Sequence, residues 1–229
     1  MEFILEGLVK AFQLLFQGDQ ETFSAIWATV KVSSISMTVS LLIGVPLGYL
    51  LGYLSFPGKR AIRTVVDTLL ALPTVFIGLV VYAFLSNRGP LGELGLLFTL
   101  QGIAIGQSIL ALPIVIALTA TSVESLERAL QLTLASLGAS PLQKFLTSIR
   151  EARLGLCIAA ITAAGRVLTE VGISMMVGGN IKWHTRTITT AIALETKKGQ
   201  FATGIALGLV LLAMAFTVTI SLSTLRRRN

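Results

Sequence analysis

Long apolar runs alternate with short polar stretches along most of the chain. An α-helix needs about 20 mostly apolar residues to cross the hydrocarbon core of a bilayer. Runs of that kind occupy residues 27–54, 62–85, 100–120, 154–177 and 201–225, and each predicts a membrane-spanning helix. Residues 3–16 form a shorter, amphipathic stretch, which predicts a helix lying at the interface, with a short sixth span as the alternative. The fold class that follows is all-α and polytopic: about five transmembrane helices and an N-terminal interfacial helix, in a single domain covering residues 1–229.

Two segments between the runs are too long for simple connections, and loops of that length usually carry function. Residues 121–153 have helical character and a break at Gly138 to Pro141. Residues 178–200 begin with Gly178-Gly179-Asn180, pass through a threonine-rich stretch and end in a moderately apolar run. Prolines fall inside predicted spans at Pro46, Pro73 and Pro113. Each removes a backbone hydrogen bond and tends to kink its helix, either as ordinary membrane packing or as a hinge beside a pathway. No internal repeat or low-complexity segment is present.

Composition agrees with the pattern. Hydrophobic residues make up 54% of the chain and charged residues only 13%, and the mean hydropathy is +0.83. A soluble domain carries about twice that charged fraction. The net charge of +7 would suggest nucleic acid in a soluble protein. Here the bases lie at the ends of spans, so no nucleic acid is expected and the charge sets orientation. Lys59, Arg60, Arg63, Arg128, Lys144, Arg150, Arg153 and Arg226 to Arg228 fall on one side and outnumber Glu124, Glu127 and Glu151. On the other side Lys10, Arg88, Lys182, Arg186, Lys197 and Lys198 are balanced by acids. The first side is predicted to be cytoplasmic, with the N-terminus outside and the C-terminus inside. The N-terminal stretch, with Glu2, Glu6 and only Lys10 as a base, lacks the features of a signal peptide.

No catalytic constellation is visible. The single histidine, His184, stands beside Trp183 in a predicted external loop, and the single cysteine, Cys157, lies in an apolar run. An intrachain disulfide and a cysteine-based metal site are therefore excluded. The nearest approach to a phosphate-binding loop, Gly58-Lys59-Arg60, lacks both the upstream glycine and the hydroxyl residue that such a loop needs. The chain is expected to be no enzyme and to need no cofactor or metal. The intramembrane charges are more informative, because charges at that depth face protein or water. Lys31 and Asp67 lie nearer the ends of their spans. Arg166 and Glu170, four residues apart, would share a helix face and pair, or Arg166 would line an anion path.

Leu134-Ala135-Ser136-Leu137-Gly138-Ala139-Ser140-Pro141 resembles the coupling loop of ABC-importer permeases. Gly138 matches the glycine of the family signature, whereas Leu132-Thr133-Leu134 stand where the family has Glu-Ala-Ala. Downstream, Arg166-Val167-Leu168-Thr169-Glu170-Val171-Gly172, then Met175-Met176-Val177-Gly178-Gly179-Asn180, then Thr190-Ala191-Ile192-Ala193-Leu194-Glu195-Thr196 resemble the oxyanion branch of these permeases. The wording is closest to tungstate-type permeases, with molybdate or sulfate permeases as the alternative. The resemblance implies a type I importer fold and a place in the cytoplasmic membrane of a prokaryote. Its implied partners are a second permease copy in a homodimer, two cytoplasmic ATP-binding subunits, an external substrate-binding protein and the lipid bilayer. It assigns residues 134–141 to coupling and sets the external gate loop at 178–200. Met175, Met176 and Val177 are expected to form a flexible apolar constriction. Gly178, Gly179 and Asn180 are expected to end the span in left-handed backbone. A secondary transporter or channel is the reading from another class, but neither paired repeats nor a chain of titratable residues supports it.

Overall fold

The computed structural model describes residues 5–7, 9, 10, 13, 19–126 and 128–227. The predicted interfacial helix at 3–16 lies largely outside these residues; within them, Lys10 Nζ donates to Thr203 Oγ1 at 2.7 Å. Among the described residues, three uninterrupted helices are long and apolar enough to cross a membrane, at Gln20–Tyr53, Leu100–Glu124 and Phe201–Ser221. Two bent pairs bring the number of possible spans to five.

Helix α1, Gln20–Tyr53, starts where the Asp19 carboxylate accepts the Thr22 N–H at 2.8 Å, which satisfies one of the free donors of the first turn. The next predicted span is broken. α2, Lys59–Leu69, and α3, Thr74–Leu85, meet at 97°, because Pro73 cannot continue the helix and disfavours helical backbone in the residue before it. α4, Leu100–Glu124, begins at the Thr99 cap and passes through Pro113 uninterrupted, as α1 passes through Pro46. α5, Arg128–Ser136, and α6, Pro141–Glu151, follow. The fourth span is also broken: α7, Arg153–Leu168, meets α8, Gly172–Gly178, at 55°. The outer segment 178–200 is not an open loop, since its apolar run forms α9, Ile188–Lys197, against α10, Phe201–Arg227.

The seam between α1 and α4 is the most extensive helix contact, and small residues make it possible. Ser36, Ser40, Gly44, Gly48 and Gly52, spaced by four along α1, are all buried. A Cβ on Gly44, Gly48 or Gly52 would come within 2.9 Å of α4 atoms. In a bilayer, where apolar burial drives no association between helices, such close backbone approach is a main source of packing energy.

Ion pairs gather at the two ends of the bundle. At one end Lys59 and Arg63 reach Glu124 at 3.1 and 3.4 Å, and Arg63 donates to Thr121 Oγ1 at 2.6 Å. At the other end Glu21 pairs with Lys182 at 2.6 Å and with Arg186.

Candidate functional site

Residues 134–141, expected to serve in coupling, form a helix–glycine–helix turn. α5 closes with Gly138 N–H donating to the Ala135 carbonyl at 3.1 Å and Ala139 N–H to the Leu134 carbonyl at 3.0 Å. Gly138 has a φ of 66° with open space around its Cα, so glycine is needed there for backbone conformation and not for clearance. Ser140 then caps α6: its hydroxyl accepts the Gln143 N–H at 3.3 Å, and its own N–H donates to Gln143 Oε1 at 2.7 Å. Pro141 occupies the first helical position, where a missing N–H costs nothing.

α6 packs against the bundle through one end of its apolar face and leaves the other end exposed. Phe145 and Ile149 face inward onto Tyr49 of α1, Val123 of α4, and Ala152 and Leu156 beside and within α7. The Phe145 ring meets Tyr49 edge-on at 4.9 Å. Nearer the start of α6 Leu142 is 65% exposed, and Leu137, in the turn, is 76% exposed. Ala135, Ser136, Gly138, Ser140 and Pro141 are also exposed, and Leu134 and Ala139 are half-buried.

The second region lies where the broken spans meet. α3 packs on α8, with Gly78 against Ile173 and Met176. Arg166 and Glu170 do not pair, contrary to the expectation of a shared helix face. α7 ends at Leu168, so the two residues fall on opposite sides of the break. Arg166 is exposed, whereas Glu170 is 2% exposed and its Oε1 accepts the Ile173 N–H at 3.0 Å, capping the first turn of α8. The Glu170 carbonyl accepts the Thr189 hydroxyl at 3.0 Å, which ties the break to the outer segment. Gln107 of α4 fills the gap: its amide donates to the Val167 carbonyl at 3.5 Å and the Ser174 hydroxyl at 3.4 Å, and accepts from Ser36. Sequence reasoning missed Gln107 and Ser36. The usable signal was a lone amide amid apolar residues of a span, since a buried polar group needs partners.

At the outer end the predicted backbone is present: Gly179 and Asn180 have φ of 68° and 51°. Gly178 instead stays helical as the last residue of α8, and Val177 does not form a constriction. Val177 is fully buried among Ile77, Val81, Leu110 and Ile173, and Gly178 lies against Ile103. Met175 and Met176 are half-buried. Thr185 donates to the Gly178 carbonyl and accepts the Ile181 N–H at 3.1 Å, and Arg186 reaches Asn180 Oδ1 at 3.2 Å. Ile188 N–H donates to Thr29 of α1 at 2.9 Å. The outer segment is therefore a pinned cover on the bundle. His184 and Trp183 are exposed on it. Among the described residues no group of three or more His, Cys, Asp or Glu is arranged for a metal.

Residues 44–229 match the family described as binding-protein-dependent transport system inner membrane component. The chain belongs to this family of ABC-importer permeases. The tungstate uptake system permease protein TupB of Campylobacter jejuni is 50% identical over 227 residues, covering 99% of this chain and 95% of the relative. TupB of Peptoclostridium acidaminophilum is 39% identical over 218 residues, covering 95% and 96%. The membrane subunit fold of an inward-facing methionine ABC transporter superposes with a TM-score of 0.77 at 20% identity, over 91% of this chain and 96% of that one. The permease therefore has the type I importer fold, and its relatives are membrane subunits that are generally non-catalytic.

Proposed function

We propose that this permease carries a tetrahedral oxyanion, tungstate foremost, inward across the cytoplasmic membrane of a prokaryote. It works as a homodimer driven by two cytoplasmic ATP-binding subunits and supplied by an external binding protein. The observation that carries this reading is the 50% identity to a tungstate uptake permease over nearly the whole chain. The geometry supports the same division of labour. Leu137 and Leu142 offer an apolar contact for an ATP-binding subunit, while Phe145 and Ile149 fasten the same helix to α1, α4 and the start of α7. Because packed side chains transmit displacement with little compression, a shift of α6 moves α7 and, through it, the break at Thr169–Val171. The outer segment, held by Glu21, Thr29 and the Glu170 carbonyl, follows the same break from the other side. Thus one mobile joint stands between the surface that receives force and the cover over the pathway.

The reading is tested by reconstituting the permease with its cognate ATP-binding subunits and binding protein. Tungstate-loaded binding protein is expected to stimulate ATP hydrolysis several-fold over the empty protein, with molybdate and sulfate weaker at equal concentration. Equal rates with loaded and empty binding protein contradict it.

A further inference from the structure

We propose that Arg166, with the hydroxyls of Thr162 and Thr169, forms a low-affinity transit site for the oxyanion within the membrane-spanning part of the bundle. This rests on the oxyanion reading above. Arg166 lies thirteen residues beyond the start of α7 at Arg153, about 20 Å along the helix at 1.5 Å per residue, within a hydrocarbon core ~30 Å thick. Its guanidinium has no ion-pair partner among the described residues; the Lys and Arg side chains that form ion pairs all lie at the ends of the bundle. The nearest acid in sequence, Glu170, is turned inward and spent on capping α8. A bare arginine facing lipid at that depth is costly, so the surface it occupies faces water or protein.

That surface is a cleft of about 460 Å³, walled on one side by Leu70, Ile114 and Leu118 and on the other by α7. Thr162, Arg166 and Thr169 line the α7 wall, at spacings of four and three residues that put them on one helix face. Gly165 beside them leaves the wall open, since a Cβ there would meet nothing within 4 Å. No carboxylate lines the cleft. The chemistry is selective for an anion: a guanidinium forks two N–H groups onto two oxygens of a tetrahedral oxyanion. Thr162 adds a hydroxyl with no protein partner among the described residues. The Thr169 hydroxyl, which donates to the Gly165 carbonyl at 2.9 Å, is free to turn onto a passing ligand. One arginine and two hydroxyls in an open cleft bind too weakly to hold the cargo, which is what passage requires. The cleft also adjoins the break between α2 and α3, through Leu70 at the end of α2, and the break after α7, through Thr169, so motion at these joints opens or closes it.

The test uses the reconstituted importer with Cys157→Ala as background and Arg166→Cys as the variant. Tungstate uptake is expected to fall by about tenfold or more with loss of the charge-assisted contact. Treatment with aminoethyl methanethiosulfonate, which restores a positive charge, recovers uptake, while methyl methanethiosulfonate, which is neutral, does not. Tungstate at millimolar concentration slows the modification. Uptake by Arg166→Lys, which keeps the charge and loses the fork, is expected to fall between those of the wild type and Arg166→Cys, and an unchanged size-exclusion profile of each variant is the folding control. Wild-type uptake in the Arg166→Cys protein, equal recovery with both reagents, or a modification rate indifferent to tungstate overturns the proposal. If the unmutated importer itself takes up no tungstate, the oxyanion reading fails instead.

Discussion

Gly48→Leu is expected to leave almost no folded permease. The Cβ of any larger residue at position 48 would stand 2.6 Å from Thr119 Cβ and 2.8 Å from the Ile116 carbonyl oxygen. One of these is backbone and the other belongs to a fully buried side chain, so neither can yield. Inserting even a methylene into a packed core costs about 1–3 kcal/mol, and a leucine forces the whole α1–α4 seam apart. No compensating gain exists, because lipid solvates the separated helices as well as they solvate each other. Fluorescence-detected size-exclusion of detergent extracts should show the monodisperse peak of Gly48→Leu lost and that of Gly48→Ala reduced. Gly208→Ala, where a Cβ meets nothing within 4 Å, should match the parent. A normal peak for Gly48→Leu would show that the seam does not hold the bundle together.

The double variant Leu137→Glu, Leu142→Glu is expected to abolish ATP-driven transport while leaving the permease intact. Both side chains are mostly exposed in the isolated chain, so charge there costs the permease fold little. Against an apolar groove of a partner, each glutamate would have to be buried unpaired. Loss of a central apolar anchor costs about 2 kcal/mol or more, roughly thirtyfold in affinity for each. Co-purification should find the ATP-binding subunits absent from the variant, with an unchanged size-exclusion profile for the permease. Retention of those subunits would place their docking surface elsewhere.

The parts of the structure legible in the chain are those set by local chemistry. Gly138, Ser140 and Pro141 specify a left-handed residue, a cap and a first helical position within four residues, and the turn follows. Gly179 and Asn180 end α8 for the same local reason. The apolar runs announce the spans by length alone, since a bilayer demands length before anything else. What stayed hidden depends on partners distant in sequence. The break after Leu168 carries no proline, and it is stabilised by Gln107, Thr189 and the side chain of Glu170 acting together. A continuous helix was the natural expectation, and with it the Arg166–Glu170 pair. Val177 belongs to the core because Ile77, Val81 and Leu110 close over it, which a Met-Met-Val run does not reveal. The outer segment reads as a loop because its threonines are polar; their hydroxyls are in fact consumed internally, at Thr185, Thr187, Thr189 and Thr190. The small-residue stripe from Ser36 to Gly52 was readable in principle, as a four-residue period in a span otherwise apolar all round.

The central claim is that this chain conducts an oxyanion inward only when ATP drives its coupling helix. The most direct measurement is accumulation of isotopically labelled tungstate inside proteoliposomes holding the permease, its ATP-binding subunits and enclosed ATP, with loaded binding protein outside. The account predicts accumulation against the gradient that stops when ATP is replaced by a non-hydrolysable analogue or when the binding protein is omitted. Accumulation without ATP, driven by an ion gradient alone, would contradict it.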